Sequence, residues 1–186
     1  MSMRGTPASV GTALFVVAAA VAFYFSQQGD GLQTTKNIFV NATTTRTAQV
    51  RSVPAGWREY RNTAYRFSLL YPQELEVKEF PEKGNALTVT FQNSKEQKGF
   101  QIFIVPHPEL QVSEERFKKD LPSGVRTDVT DVTIDGAIAA AFYSQNATLG
   151  ETREIWFIRD GFLFEVTTLK SLATWLDAIL RTWLFL

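Results

Sequence analysis

The feature that most constrains this chain is an uncharged, apolar segment near its N-terminus. No charged side chain occurs from Gly5 to Gly29, and the 19 residues from Ala8 to Ser26 are almost wholly apolar. At about 1.5 Å rise per residue, a helix of that length spans the roughly 30 Å hydrocarbon thickness of a bilayer. A helix also satisfies its own backbone hydrogen bonds, as lipid requires. The segment therefore predicts one transmembrane helix at residues 8–26.

The flanking residues predict the orientation of that helix. Arg4 precedes it, Asp30 follows it, and aromatic residues 23–25 sit at its far end, where an aromatic belt is expected. The positive-inside rule then places residues 1–7 in the cytoplasm and the remaining chain outside the cell membrane, as a single-pass protein.

Three interpretations of the segment compete: a retained signal anchor, a cleaved signal peptide and a buried helix of a soluble protein. The run exceeds the roughly 7–15-residue core of a usual signal peptide. The bulky residues 23–28 that end it contain no site of the small-x-small type. Both observations favour the retained signal anchor.

The next thirty residues differ in composition. Residues 27–56 are rich in Gln, Thr, Asn, Gly and Ala and contain few apolar side chains. Such a stretch cannot bury enough surface to fold alone. It predicts a flexible polar linker that reaches on the order of 25–30 Å as a coil, followed by a folded domain at 57–186. Asn41 and Asn146 each begin a glycosylation acceptor pattern, whose use depends on the host.

Charge and cysteine content exclude several classes of function. The whole chain has 19 basic and 19 acidic side chains, but residues 1–52 hold four basic groups against one acid. The remainder is therefore mildly acidic, which disfavours nucleic acid as a partner. The chain has no cysteine. This excludes disulfides, a thiol nucleophile, a zinc–thiolate site and lipid attachment through a lipobox.

Alternating apolar and polar residues predict a series of strands in the domain. Leu75–Phe80 has the pattern of a half-buried strand, and Phe100–Val105 that of a central strand. Two Asp-Gly pairs, at 135–136 and 160–161, predict tight hairpins. The second hairpin should pair Phe157 with Phe164 and Ile155 with Val166. The predicted strands are Arg66–Pro72, Leu75–Phe80, Ala86–Phe91, Phe100–Val105, Asp128–Ile134, Ala137–Ser144, Glu154–Arg159 and Phe162–Thr168.

Two helices are predicted between and after these strands. Ser113–Leu121 begins with a serine N-cap followed by acidic residues and has lysines in its last turn. Leu172–Trp183 repeats apolar residues at helical spacing and should pack across the sheet. The fold class is therefore α+β, with a mostly antiparallel sheet of about six to eight strands flanked by helices.

The opening of the domain resembles that of PsbP-like domains, in which a Tyr-x-Asn-x-x-Tyr-x-Phe-Ser-x-x-Tyr-Pro run begins the sheet. The C-terminus, a helix followed by a short aromatic tail, is also similar. One departure is Arg66, where such runs usually have glycine. The matching residues are Tyr60, Asn62, Tyr65, Phe67, Ser68, Tyr71 and Pro72.

This resemblance covers residues 57–186 and implies an α-β-α sandwich. It implies no single function, because the fold serves photosystem II extrinsic subunits, small envelope proteins and other binding modules. With its N-terminal apolar segment, the chain looks similar to the membrane-anchored PsbP-related envelope proteins of prokaryotes.

Two groups of ionisable residues are candidate sites. His107, the only histidine, could be a metal ligand or could make a pH-sensitive contact with Glu109, but one histidine and one carboxylate are too few to define a metal site. We expect His107 to be an exposed loop residue. Glu114 and Glu115 are adjacent and point to different helix faces, so we expect a solvated helix start and not a pair of catalytic carboxylates.

Two further groups carry weaker signals. Asp128, Asp131 and Asp135 lack the spacing of a calcium loop. An aromatic group at the start of the domain could line a ligand groove or pack the edge of the core, and the second is the commoner role. That group consists of Trp57, Tyr60, Tyr65 and Tyr71.

No serine hydrolase, P-loop or dinucleotide pattern is present. The sequence therefore predicts no catalytic residue, metal or cofactor, and leaves the ligand-binding residues unknown. We expect a membrane-anchored, extracytoplasmic binding or accessory module that contacts another envelope protein and is not an enzyme. The alternative is a carrier of a small or lipid ligand in a pocket between sheet and helices. An enzyme would need a concave cluster of polar residues with perturbed pKa values.

Overall fold

The computed structural model describes residues 51–186. The predicted cytoplasmic segment, the transmembrane helix at 8–26 and most of the linker lie outside the described residues. Within 51–186 no helix is long and apolar enough to cross a membrane. The elements are β1 (Trp57–Asn62), β2 (Phe67–Pro72), β3 (Glu76–Glu82), β4 (Ala86–Asn93), β5 (Lys98–Pro106), α1 (Glu114–Asp120), β6 (Thr127–Ile134), β7 (Ala137–Asn146), β8 (Gly150–Arg159), β9 (Phe162–Leu169), α2 (Ala173–Leu180) and β10 (Leu184–Phe185).

The strands form two sheets and not the single sheet that the sequence predicts. The large sheet has the order β3-β4-β5-β9-β8-β7-β6, and the small one has the order β1-β2-β10. All neighbouring strands are antiparallel. The small sheet escaped prediction because β1 is mostly exposed and β10 has two residues, so neither carries a strong alternating pattern.

Both predicted Asp-Gly hairpins are confirmed. Asp135 and Gly136 have φ values of 41° and 84°, and Asp160 and Gly161 have φ values of 51° and 80°. Two consecutive residues with positive φ make the tight turn whose twist matches antiparallel strands. The register is also as expected, since Phe157 lies opposite Phe164 and Ile155 opposite Val166.

The antiparallel connections place the turns at two ends of the molecule. Turns 63–66, 83–85 and 160–161 lie at one end, which we call the Asp160 end. Turns 73–75, 94–97 and 147–149 lie at the other, the Ser94 end. β1 begins at the Ser94 end, because Trp57 pairs with Pro72 and the β1–β2 turn lies at the Asp160 end.

The main core lies on one face of the large sheet, under the small sheet and α2. Aromatic rings fill much of it. Phe67 stacks on Trp183 with ring centroids 4.4 Å apart and an interplanar angle of 7°. Phe91 stacks on Phe100 at 4.4 Å and 4°. Offset stacking of buried rings adds to the free energy gained by removing their surface from water.

The opposite face of the large sheet, which we call the outer face, carries a smaller core beneath α1. Phe117 of α1 stacks on Trp156 with centroids 4.8 Å apart. Ser113 caps the helix by accepting from the Arg116 N–H at 3.2 Å, so the predicted cap is confirmed. The four buried residues of this core are Leu121, Phe142, Trp156 and Leu163.

Two predicted elements differ from those observed. β3 is an edge strand, so it is mostly exposed and not half-buried, and Phe80 is 48% exposed on it. The C-terminal helix ends at Leu180 and not at Trp183. The Thr182 hydroxyl donates to the carbonyl oxygen of Ile179 at 2.5 Å and accepts from the Leu70 N–H at 2.9 Å. These contacts turn the chain into β10.

Arg66 stands where the resembling sequences have glycine, and its backbone adopts the conformation that glycine favours. Its φ is 56°, in the left-handed region that glycine adopts at little cost. The C-terminus holds it there. The Arg66 guanidinium donates to the carbonyl oxygen of Leu186 at 2.9 Å, and the Leu186 N–H donates to the carbonyl oxygen of Arg66 at 2.8 Å.

Candidate functional site

An open groove of about 450 Å³ lies at the Asp160 end, where three turns converge. Tyr65 comes from the β1–β2 turn, Asn85 from the β3–β4 turn and Phe162 from the start of β9. The ring of Tyr65 meets that of Phe162 edge-on, with centroids 5.0 Å apart. The lining is completed by Ala64, Pro81, Glu82 and Ala86.

Hydrogen bonds fix the groove's main aromatic side chain. The Tyr65 hydroxyl donates to the carbonyl oxygen of Asn85 at 3.0 Å, and its backbone N–H donates to the Asn62 side chain at 3.0 Å. Burial, and then the charge of Glu79, raise the pKa of the Tyr65 phenol. The hydroxyl therefore stays protonated at physiological pH, and Tyr65 offers a rigid, neutral ring to the groove.

Tyr60 lies behind this wall and joins the small sheet to β3. Its hydroxyl donates to the Glu79 carboxylate at 2.6 Å and accepts from the Asn62 amide at 3.0 Å. Burial is the main cause that raises the pKa of Tyr60. Two carboxylates near the groove are Glu79, held by Tyr60, and Glu82, which accepts from the Thr88 hydroxyl at 2.5 Å.

A separate group of buried ionisable residues lies on the outer face. Glu154 of β8 is 4% exposed and has no basic partner within hydrogen-bonding distance in residues 51–186. It accepts from Thr152 at 2.7 Å, from Thr167 at 2.6 Å and from the Trp156 indole at 3.4 Å. Burial raises the pKa of Glu154 to about 7, although the three donors oppose the shift.

The rest of this group connects the sheet to α1. Arg116 contacts Asp120 through its Nε, and its terminal nitrogen lies 3.5 Å from Glu165 of β9. Burial, and next the charge of Asp120, hold the pKa of Glu165 well above its usual range. We call the four residues Arg116, Asp120, Glu154 and Glu165 the acid cluster. In residues 51–186 no group of three or more acidic, histidine or cysteine side chains is arranged to hold a metal ion.

The expectation that His107 is an exposed loop residue is wrong. The residue is 6% exposed. Its Nε2 lies 3.0 Å from the carbonyl oxygen of Gln111, and its backbone N–H donates to the carbonyl oxygen of Gly161 at 2.8 Å. The loop folds back onto the β8–β9 turn and encloses the ring. His107 Nδ1 does lie 3.4 Å from Glu109, but Glu109 is itself exposed.

The structure does not bring the other candidate carboxylates into a common site. Glu114 pairs with Arg126 at 2.7 Å, and Glu115 is exposed, so the solvated helix start is confirmed. Asp135 accepts from the Phe185 N–H at 2.8 Å and thereby anchors β10. Asp128 and Asp131 lie on the exposed edge strand β6.

The aromatic group at the start of the domain takes both roles that the sequence left open. Tyr60 and Tyr71 are buried in the main core, and Trp57 packs partly against it. Tyr65 also packs on the core but faces the groove. Sequence reasoning missed the acid cluster, although Glu154 and Glu165 stand in otherwise apolar strands, which is a visible signal of a buried charge.

Comparisons with known proteins support the fold alone. No protein-family model and no curated protein matches the sequence. Among solved structures, the solution structure of cyanobacterial PsbP (CyanoP) from Synechocystis sp. PCC 6803 is similar, with a TM-score of 0.52 and 13% sequence identity. The match covers 74% of this chain and 99% of that chain. This chain therefore contains a PsbP-like domain, as the sequence motif at the start of the domain predicts.

Proposed function

We propose that this protein is a membrane-anchored, extracytoplasmic accessory module that contacts another envelope protein and performs no catalysis of its own. The observation that carries the proposal is the PsbP-like fold joined to a sequence that begins with an apolar segment and a polar spacer. A tether of this kind keeps a binding domain at high local concentration near membrane partners. In the proposed topology the N-terminus lies in the cytoplasm and the folded domain lies outside the cell membrane.

The chemistry of the described residues favours binding over catalysis. The acid cluster is enclosed beneath α1, so its carboxyl groups cannot reach a substrate in this conformation. The groove offers one half-buried phenol, that of Tyr65, whose hydroxyl already donates to a backbone carbonyl oxygen. A general acid or base must reach the proton it transfers, and neither place provides that geometry.

The groove is the surface that we assign to the partner. Its walls are apolar at Tyr65, Phe162 and Pro81, and its rim carries the carboxylate of Glu82. An arginine or lysine on a partner loop fits this combination, because its stem packs on the rings while its charge meets the carboxylate. The proposed occupant is therefore a loop of an envelope protein with a basic side chain at its tip.

The carrier alternative gains no support from the interior. Residues 51–186 contain the groove and a depression of about 120 Å³ beside α1. Both lie at the surface, whereas stacked rings fill the space between the two sheets. A carrier would need an enclosed apolar cavity between sheet and helices.

Site-specific photocrosslinking in native membranes tests the proposal. A benzoylphenylalanine at Asn85, on the rim of the groove, should give one crosslinked product. Mass spectrometry of that product should identify a protein with an extracytoplasmic region and locate the crosslink beside an arginine or lysine. The matched control carries the same photoreactive residue at Glu96, which is exposed in the turn at the Ser94 end.

The control position should give no such product, and Tyr65→Ala should remove the product formed from position 85. Equal products from positions 85 and 96 would contradict the assignment of the groove. A membrane preparation that yields no specific product from either position would contradict the accessory function itself.

A further inference from the structure

The acid cluster is unbalanced in charge. It contains the three carboxyl groups of Asp120, Glu154 and Glu165 and the single guanidinium of Arg116. The side chains of Asp120 and Arg116 are 6% and 14% exposed, and Glu154 and Glu165 are buried. If all four groups were ionised, the cluster would hold two uncompensated negative charges away from water. A buried charge without a partner takes up a proton instead.

The strands packed around the cluster place mainly uncharged side chains against it, and Arg126, just before β6, pairs with Glu114 of α1. On the outer face, β5 places Gln101 opposite Thr167 and Phe103 opposite Glu165. β7 places Phe142 opposite Glu154. The remaining charged residues of α1 are exposed at its two ends; they are Glu114, Glu115, Lys118 and Lys119.

One pair of carboxyl groups in the acid cluster can share the proton. Asp120 of α1 and Glu165 of β9 both contact the guanidinium of Arg116, so their two carboxyl groups lie close together. Two carboxyl groups attract each other only while one of them carries a proton, because two carboxylates at this separation repel. The contact between helix and sheet thus changes from attractive to repulsive when one proton leaves for solvent.

α1 is held to the sheet by little else. It has seven residues and contributes no fully buried side chain of its own. An isolated helix this short is not stable in water. Its attachments are the stacking of Phe117 on Trp156, the C-cap residue Leu121, the contacts of Arg116 and the ion pair of Glu114 with Arg126, whose guanidinium also lies 4.2 Å from the centre of the Phe117 ring. Such a segment can open while the main core, with twenty-four buried hydrophobic residues, stays folded.

We propose that α1 is a proton-controlled latch, which stays docked while the Asp120–Glu165 pair holds a proton and leaves the outer face when that proton is lost. Release would uncover Trp156, Phe142 and Leu163. The direction of the shift agrees with this, because burial and the neighbouring carboxyl group raise the pKa of Glu165. The latch therefore closes at low pH and opens as the pH rises.

Thiol accessibility in the full-length protein tests the latch, since the natural chain has no cysteine. Leu163→Cys places one thiol on the sheet beneath α1, at a position that is fully buried while α1 is docked. Its rate of labelling by an uncharged maleimide is divided by that of Ser94→Cys, an exposed thiol, to remove the change in thiolate fraction with pH. Ala139→Cys, in the main core, reports any global unfolding.

Between pH 5.5 and pH 8.5 the ratio for Leu163→Cys should rise about tenfold or more, because the docked state binds the proton more tightly than the released state does. Glu165→Gln should flatten the rise, and Asp120→Asn should flatten it independently. A ratio that stays constant with pH, or that rises equally in both variants, would overturn the latch. Labelling of Ala139→Cys over the same range would overturn it too, because the opening would then be global.

Discussion

Replacing Glu154 by glutamine should change how the stability of the domain depends on pH. Burial raises the pKa of Glu154 from 4.5 to about 7 in the folded protein. The folded state therefore binds this proton more tightly than the unfolded state does. The contribution of Glu154 to stability is fully present below about pH 4.5 and is lost as the pH rises towards 7.

The size of this change in stability follows from the pKa shift of Glu154. One pKa unit corresponds to about 1.4 kcal/mol, so the shift of Glu154 lowers the free energy of unfolding by about 3 kcal/mol between pH 4.5 and pH 8. Glutamine has nearly the same shape: its amide oxygen can accept from Thr167 and Trp156, while its NH2 group can donate to the Thr152 hydroxyl, which is free to rotate. Glu154→Gln should thus match the natural protein near pH 4.5 and exceed its stability by about 3 kcal/mol at pH 8.

Urea unfolding of the full-length chain in a mild detergent, followed by tryptophan fluorescence at several pH values, measures this difference. Glu96→Gln is the matched control, because it removes the same charge from an exposed turn. Its curve should run parallel to that of the natural protein. If the Glu154→Gln curve also runs parallel from pH 4.5 to pH 8, Glu154 does not bind its proton more tightly in the folded state and the reasoning fails.

Two further predictions concern the core and the anchor. Phe67 is fully buried and stacked on Trp183, so Phe67→Ala should lower the free energy of unfolding by about 3–5 kcal/mol, whereas Ile138→Ala, at a position 77% exposed, should change it by less than about 0.5 kcal/mol. Equal effects in urea unfolding would show that the main core is misassigned. Because 8–26 is the predicted membrane span, the full-length chain should resist alkaline carbonate extraction and a chain lacking residues 1–26 should not. Carbonate-soluble full-length protein would count against the anchor.

The strands of the large sheet could be predicted because their determinants are local. Alternation of apolar and polar residues marks most of these strands, and each Asp-Gly pair supplies the positive φ values that a tight hairpin needs. The end of the C-terminal helix could not be predicted in the same way. It depends on hydrogen bonds of Thr182 with Leu70, a residue of β2 far away in the chain.

The division into two sheets and the groove also depend on long-range contacts. β10 forms because Phe185 pairs with Phe67 of β2 and because the Phe185 N–H donates to the Asp135 carboxylate. The groove forms where Tyr65 and Phe162, nearly a hundred residues apart in sequence, meet at one end of the molecule. The alternation of apolar and polar residues within one strand does not indicate which distant residues that strand will contact.

The burial of the ionisable residues could not be predicted from the sequence for a different reason. The sequence predicts an exposed loop residue at His107, whereas the loop folds over the imidazole ring and encloses it. Glu154 and Glu165 seemed ordinary strand positions, yet α1 covers this face of the sheet. Both errors arise because a prediction of exposure from local sequence ignores what packs over a residue.

The most direct test of the central claim is the affinity of the purified partner, identified by crosslinking, for the groove. The full-length protein and Tyr65→Ala would be compared by titration calorimetry, with Glu96→Ala as the variant at the opposite end. Truncating an aromatic residue at the centre of an interface typically costs 2 kcal/mol or more, which is roughly thirtyfold in Kd. If the partner binds in the groove, Tyr65→Ala should lose affinity by about that factor and Glu96→Ala should lose none. Unchanged affinity in Tyr65→Ala would contradict binding in the groove.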